Sequence, residues 1–338
     1  MAGLACSLAA QAQETSTQSG FPVSLGQDGI DGTVYRGALE AGASFTDNFF
    51  YTGDDLEQTD GTGFLLRPEL AAIRVLPRAR MAAEASGEFA TFDVPDDVDD
   101  YIDSRLALGA DWLSSSRNRW RFGSRLSFDH DPFGTQRTEN TPLETRELDE
   151  YREILTNFGY RYGLPTDQLN VDLNVLTKNK TYTTNEAATQ FLDYDAALVS
   201  LSGYYNLSAK TSIFASASGG RSLYEVVAPG ALDRSATELR YGLGSIWKAS
   251  AKTSGNIYLG YVTRRPRDDG REDFNGFDWT AGLTWSPASV RTFDLTTGRI
   301  TQESYLAAAD FINNRFATLS WAEQWAPRFN TKLDVRFV

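Results

Sequence analysis

Asp167–Lys178 reads "DQLNVDLNVLTK", and the fold turns on how these twelve residues are read. Leu169, Val171, Leu173 and Val175 fall on one side of an extended chain, and Gln168, Asn170, Asp172 and Asn174 on the other. Successive side chains of a strand point to opposite faces, so a period of two marks a strand with one apolar face. A helix would need apolar residues every three or four positions, and this stretch lacks them. The alternation returns in "RWRFGSRLSFD" (119–129), where Trp120, Phe122, Leu126 and Phe128 oppose Arg119, Arg121, Arg125 and Asp129. In "YIDSRLALGADW" (101–112), Ile102, Leu106, Leu108, Ala110 and Trp112 oppose Asp103, Arg105 and Asp111. Tyr35–Phe45, Met81–Phe89, Thr237–Trp247 and Phe277–Trp285 alternate likewise. Over 192–205 and 311–321 the pattern weakens and its parity stays open; a bulge would explain either case.

The strands recur at a fixed distance. "SAKTS" stands at 208–212 and again at 250–254, behind Tyr205 and Trp247. Trp112 precedes "SSSRNR", Tyr162 "GLPTDQ", Trp285 "SPAS" and Trp325 "APRFN", so six large aromatics each lead into a short turn at intervals of 38 to 50 residues. A seventh turn, "LPRAR" from Leu76, follows Val75. Such a period marks a repeated supersecondary unit, here a hairpin with its outer connection. One strand on each side of seven turns, with Tyr35–Phe45 in front, predicts an all-β chain of about 14 to 16 strands.

Two architectures could hold them: a soluble sandwich or propeller with the apolar face inside, or a membrane barrel with that face on lipid. The connections decide. Short turns alternate with long polar stretches at 46–62, 93–100, 130–147, 178–190, 222–235 and 263–276. Short periplasmic turns and long extracellular loops are the pattern of bacterial outer-membrane barrels. Trp112, Tyr162, Tyr205, Trp247, Trp285 and Trp325 then form an aromatic girdle at the periplasmic interface, where an amphipathic ring is half dry and half wet. A sheet in lipid must leave no backbone group unpaired, so the prediction is a closed antiparallel transmembrane β-barrel.

Composition narrows the function classes. The 338-residue chain has 41% hydrophobic residues and a net charge of −13, which argues against nucleic acid and anionic membrane surfaces as partners. One Cys and one His all but exclude disulfide frameworks and metal sites built from those residues. No run of eighteen apolar residues offers a membrane-spanning helix. The opening "MAGLACSLAAQAQETSTQ" has the character of the second half of a secretory signal peptide, with cleavage expected after Ala12. A basic n-region is missing, because the first Lys or Arg is Arg36, so either the true start lies upstream or the sequence is a fragment. Cys6 is not read as a lipidation site, since Gly3 stands where Leu is wanted. Residues 1–12 are thus assigned to a partial signal peptide, 13–34 to a periplasmic segment and 35–338 to the barrel. "TKLDVRFV" (331–338) is an outward strand with no returning partner, so the barrel is expected to miss its last strand.

"SGYYNLSAKTSIFASASGG" (202–220), "EDFNGFDWTAGLTWSPASVRTFDLTTGR" (272–299), "GFLLRPEL" (63–70) and "FTDNFF" (45–50) resemble a β-barrel porin family of Gram-negative outer membranes. Its members are often associated with exopolysaccharide biosynthesis and export. The resemblance covers roughly residues 35 to 335 and rests on strand and turn texture. It implies an outer-membrane barrel that moves or anchors surface polysaccharide, and it brings no functional residues with it.

The faces expected to line the lumen carry both signs: Arg36 and Glu40, Arg67 and Glu69, Glu84 and Glu88, Asp103, Arg105 and Asp111, Arg119, Arg121 and Arg125, Asp172, and Glu238 and Arg240. Arg outnumbers Lys 26 to 6, and a planar guanidinium suits bidentate grips on carboxylates. One reading makes 119–125 a track for an acidic polysaccharide; the blander and favoured one is cross-strand salt bridging, with Asp111 facing Arg121. His130 in "FDHDPFG" is read as a solvated loop residue rather than a metal ligand. The acidic "DVPDDVDD" (93–100) and "RDDGRED" (267–273) do not match a calcium loop. No nucleophile motif pairs with His130, so neither catalysis nor a cofactor is expected. The expected partners are outer-membrane lipid, the barrel-assembly machinery, and acidic polysaccharide or small solutes. Three functions follow: a transport or export barrel, a non-conducting scaffold of a polysaccharide machine, and a secreted soluble adhesin.

Overall fold

A computed structural model describes residues 32–47, 59–94, 100–132, 147–303, 311–326 and 329–337. The signal-peptide assignment, most of the 13–34 segment, and parts of "FTDNFF", "DVPDDVDD" and the 130–147 loop lie outside them. Fifteen strands follow one another: β1 (Gly32–Thr46), β2 (Gly61–Leu76), β3 (Ala79–Asp93), β4 (Tyr101–Leu113), β5 (Asn118–Asp131), β6 (Asp149–Tyr162), β7 (Leu169–Tyr182), β8 (Tyr194–Ser208), β9 (Thr211–Tyr224), β10 (Ala236–Lys248), β11 (Thr253–Pro266), β12 (Phe274–Ala288), β13 (Arg291–Glu303), β14 (Phe311–Ala326) and β15 (Phe329–Phe337). Each pairs antiparallel with its sequence neighbours in one 15-stranded sheet ordered β1 to β15. The first strand begins at Gly32, three residues before the expected barrel start.

The expected closure belongs to the two edge strands, β1 and β15. Among the described residues no ladder joins β1 to β15. β1 and β15 run the same way in this meander, so a direct ladder between these two strands would be parallel.

The connections alternate as the spacing predicts. Pro77–Arg78 and Ala209–Lys210 suffice for two hairpins, whereas 183–193, 225–235 and 267–273 make longer links at the other end. Both copies of "SAKTS" do the same local work. The Lys210 N–H donates to Ser208 Oγ at 3.1 Å, and the Lys252 N–H to Ser250 Oγ at 3.1 Å. A serine hydroxyl that accepts the amide two residues on substitutes for a backbone turn bond. In the β6–β7 turn Gly163 has φ +99°, and a Cβ there would stand 2.7 Å from Asn170 Oδ1. Replacing Gly163 by Ala should therefore cost about 1 kcal/mol or more, read as a lower urea midpoint for folding in detergent.

The two faces of the sheet have opposite character. On β7 Leu169 is 55% exposed, whereas Asn170 and Lys180, on the other face, are buried. On β10 Leu239, Tyr241 and Leu243 are exposed while Glu238 and Arg240 turn away from them. The parity left open in the sequence resolves: in β8 Val199, Leu201 and Tyr205 are the exposed set. It was hidden because Tyr194, Ala196, Leu198 and Tyr204 make the opposite face apolar as well, and because the ladder shifts between Asn206 and Ser208. Around Trp321 a second shift falls between Gln324 and Ala326. The buried apolar cluster is small, Ile73, Ala82 and Ala107 with Val75 packed against them. A sheet with this little core and so many exposed Leu, Val and Phe side chains has its apolar surface on the outside.

Candidate functional site

Charged side chains concentrate on the face opposite the exposed hydrophobics, where they pair across strands. Arg119 clamps Asp111 with Nε, 2.8 and 3.0 Å from the two carboxylate oxygens, and with Nη2. Asp111 and Arg121 are register partners, but the expected ion pair between them does not form. Arg121 lies opposite Gly159 and passes over it, a Cβ there being only 3.1 Å from its Nε. Its Nη2 ends 3.8 Å from Asp172, which Arg161 already grips at 2.7 and 2.5 Å. Register fixed which residues face each other; a glycine on the next strand decided which of them touch.

Several other predicted lumen residues pair across strands as well. Arg125 meets Glu153 at 3.0 Å, and Lys178 closes on the same carboxylate at 2.5 Å. Arg105 is half exposed and reaches Asp129 at 4.0 Å. Arg240 bonds Asp278 at 2.6 Å and Glu238 at 3.1 Å, and the Thr301 N–H and hydroxyl donate to the other Asp278 oxygen at 3.1 and 3.0 Å. The row Arg119, Arg121, Arg125 is therefore salt-bridged, as the blander reading has it. Glu153, Arg161, Asp278 and Thr301 belong to these networks and were not singled out in the sequence. Strand alternation placed them on the right face, but partners on neighbouring strands, 11 to 38 residues away, leave no local signal.

The long-loop end holds a buried cage. Lys180 is 3% exposed, with its ammonium 3.5 Å from the Tyr151 ring centroid, 4.4 Å from that of Tyr182 and 3.3 Å from Asp131 Oδ1. Tyr182 donates its hydroxyl to Asp131 Oδ2 at 2.5 Å. Above it the 183–193 link contains a one-turn helix, α1 (Glu186–Thr189), with Asn185 donating to Asp149 Oδ1 at 2.8 Å. His130 corrects its expectation. It is the penultimate residue of β5 rather than part of a solvated loop, its side chain is 10% exposed, and its Nδ1 sits 3.0 Å from Asp103 Oδ1.

In "RDDGRED" the Asp268 carboxylate accepts the Asp233 and Gly270 N–H groups, each at 2.9 Å. Those backbone donors hold its pKa below the ordinary aspartate value. A depressed carboxyl stabilises the fold above its unfolded pKa and ceases to do so as pH falls through the folded one. The Asp233 and Gly270 amides should thus exchange faster in Asp268→Asn than in the parent at pH 7. The two proteins should converge once pH falls through the lowered folded pKa of Asp268, where both side chains are neutral.

Trp112, Tyr162, Tyr205, Trp285 and Trp325 are exposed on the apolar face next to short turns, and Trp247 is half-buried there. A second aromatic row, not noticed in the sequence, crosses the same face nearer the long links: Phe64, Phe89, Tyr241, Tyr261 and Phe277. Tyr241, Tyr261 and Phe277 are register neighbours on β10, β11 and β12. Phe277 and Trp285 are eight residues apart on β12, about 27 Å along a strand, which matches the apolar band of about 25 Å bounded by aromatic girdles in outer-membrane barrels.

The family model described as "Putative beta-barrel porin 2" matches residues 32–322. No curated protein matches the sequence. Among solved structures, the siderophore receptor PirA from Acinetobacter baumannii aligns with TM-score 0.52 and 7% identity over 91% of this chain and 52% of its own. The copper transporter OprC aligns with TM-score 0.48 and 13% identity over 82% and 50%. An outer membrane channel from Pseudomonas putida F1 gives TM-score 0.36 and 13% identity over 78% and 97%. The chain thus spans about half the length of the first two, and these likenesses speak to fold alone.

Proposed function

The chain belongs to the Putative beta-barrel porin 2 family and is a bacterial outer-membrane protein; from that premise we propose that the sheet closes around a water-filled passage for polar solutes. In this reading the apolar face meets lipid, the short turns lie in the periplasm and the charged face lines the lumen. Arg105, Asp111, Arg119, Arg121, Arg125, Asp172, Glu238 and Arg240 are then wall residues. One observation carries the proposal: the guanidiniums of Arg119, Arg125, Arg161 and Arg240 are each bonded to a carboxylate on that face. A wall of paired charges is hydrated and polar but has few free charges to trap a passing ion or sugar. Surface exopolysaccharide is the finer cargo of this proposal, since a sugar chain is extended and polar and needs such a wall.

Reconstitution into planar bilayers tests it. Discrete conductance steps, reduced by added oligosaccharide, are expected; their absence from correctly folded protein would leave a plugged scaffold in place of a channel.

A further inference from the structure

We propose that His130, Asp103 and Asp129 form a binding site for a divalent transition-metal ion of the zinc class at the long-loop end of the polar face. One donor atom from each lies within 4.8 Å of the other two. A tetrahedral ion with bonds of about 2.1 Å holds its ligands about 3.4 Å apart, so small side-chain rotations would complete the set. His130 Nδ1 and Asp103 Oδ1, at 3.0 Å, already stand that close.

A simple ion pair accounts for less. The His130–Asp103 contact explains two of the three groups and leaves a second carboxylate, Asp129, against them. Cations from the chain do not balance this corner. Arg67 is taken by Glu88 at 2.5 Å and Glu40 at 3.0 Å, and Arg105 reaches Asp129 only at 4.0 Å. Among the described residues, the ion-pair partner of Asp103 is His130 itself. Two carboxylates beside an imidazole, without a nearby guanidinium in close contact, make a place where an added cation gains on every side.

The donors are also held in place from behind, as metal ligands usually are. The imidazole packs on the Tyr101 ring, with centroids 4.0 Å apart. Tyr101 donates its hydroxyl to Glu88 Oε1 at 2.5 Å, and Glu88 is fixed by Arg67. The His130 backbone N–H donates to Asp129 Oδ1 at 3.0 Å, orienting that carboxylate. A cavity of about 530 Å³ lined by all three donors leaves room for water ligands and an entry path. An imidazole nitrogen with only two carboxylates favours zinc, cobalt or nickel over calcium or magnesium, which take all-oxygen shells.

The test is calorimetric titration of the full chain, folded in detergent and stripped with chelator, with zinc chloride, and cobalt absorption as a second readout of the ligand set. One ion per chain is expected, with affinity at least tenfold lower in His130→Gln and in Asp103→Asn and no displacement by excess calcium. Absence of zinc binding, or binding unchanged in either variant that shows native circular dichroism, would overturn the site. If Asp103→Asn fails to fold, His130→Gln alone decides. The readout is ion binding, so failure here would leave the channel proposal standing.

Discussion

Replacing Leu243 by Arg is expected to weaken folding into a phospholipid bilayer by about 2–4 kcal/mol, the cost of a cation near the midplane on the lipid face of a barrel. Leu243 is 66% exposed and pairs with Leu259 and Ala215 on the same apolar face. It lies between Trp247 and Tyr241, and so between the two aromatic rows. Arg at Ser200, which faces the other way between Asn174 and Ser218, should cost far less because water can reach it. Urea titrations of folding into vesicles give both numbers. Equal losses at the two positions would mean that the faces do not differ in their solvent.

Lys180→Met should be as damaging, by about 3–5 kcal/mol, because it leaves Asp131 buried without its cation. Both side chains are 3% exposed, and the Tyr182 hydroxyl alone would remain to support the carboxylate. The double variant Lys180→Met/Asp131→Leu should recover much of the loss, since removing both charges also removes their desolvation. This non-additivity separates a buried ion pair from a packing defect, in which the two losses would sum. Folding midpoints for the two single variants and the double variant complete the cycle.

Most of the architecture was legible in the residues. Alternation in 167–178 and 119–129 gives strands, and the aromatics before six of the seven short turns give the hairpin period and the end at which turns lie. Strand number and the order of connections follow from those two signals, because a sheet in which each strand pairs with its neighbour needs nothing else. Closure was not legible, since it depends on how β1 and β15 meet. Parity failed in β8, where Leu198 and Tyr204 sit on the polar side and cancel the contrast that alternation relies on. The site was legible by face and illegible by contact. Asp111 and Arg121 do oppose each other, yet Gly159 opens a path to Asp172 that neither strand announces. His130 seemed solvated because its neighbours in sequence are loop-like, whereas its actual neighbours, Asp103 and Tyr101, come from the strand before.

The most direct measurement is a nitroxide scan of β7 in liposomes, with the single Cys6 replaced and labels placed singly from 171 to 175. The account predicts that labels at 171, 173 and 175 collide with oxygen dissolved in lipid, while those at 172 and 174 collide with a water-soluble nickel complex. Nickel access at 171 and 173 with oxygen access at 172, or a flat profile along the strand, would contradict it.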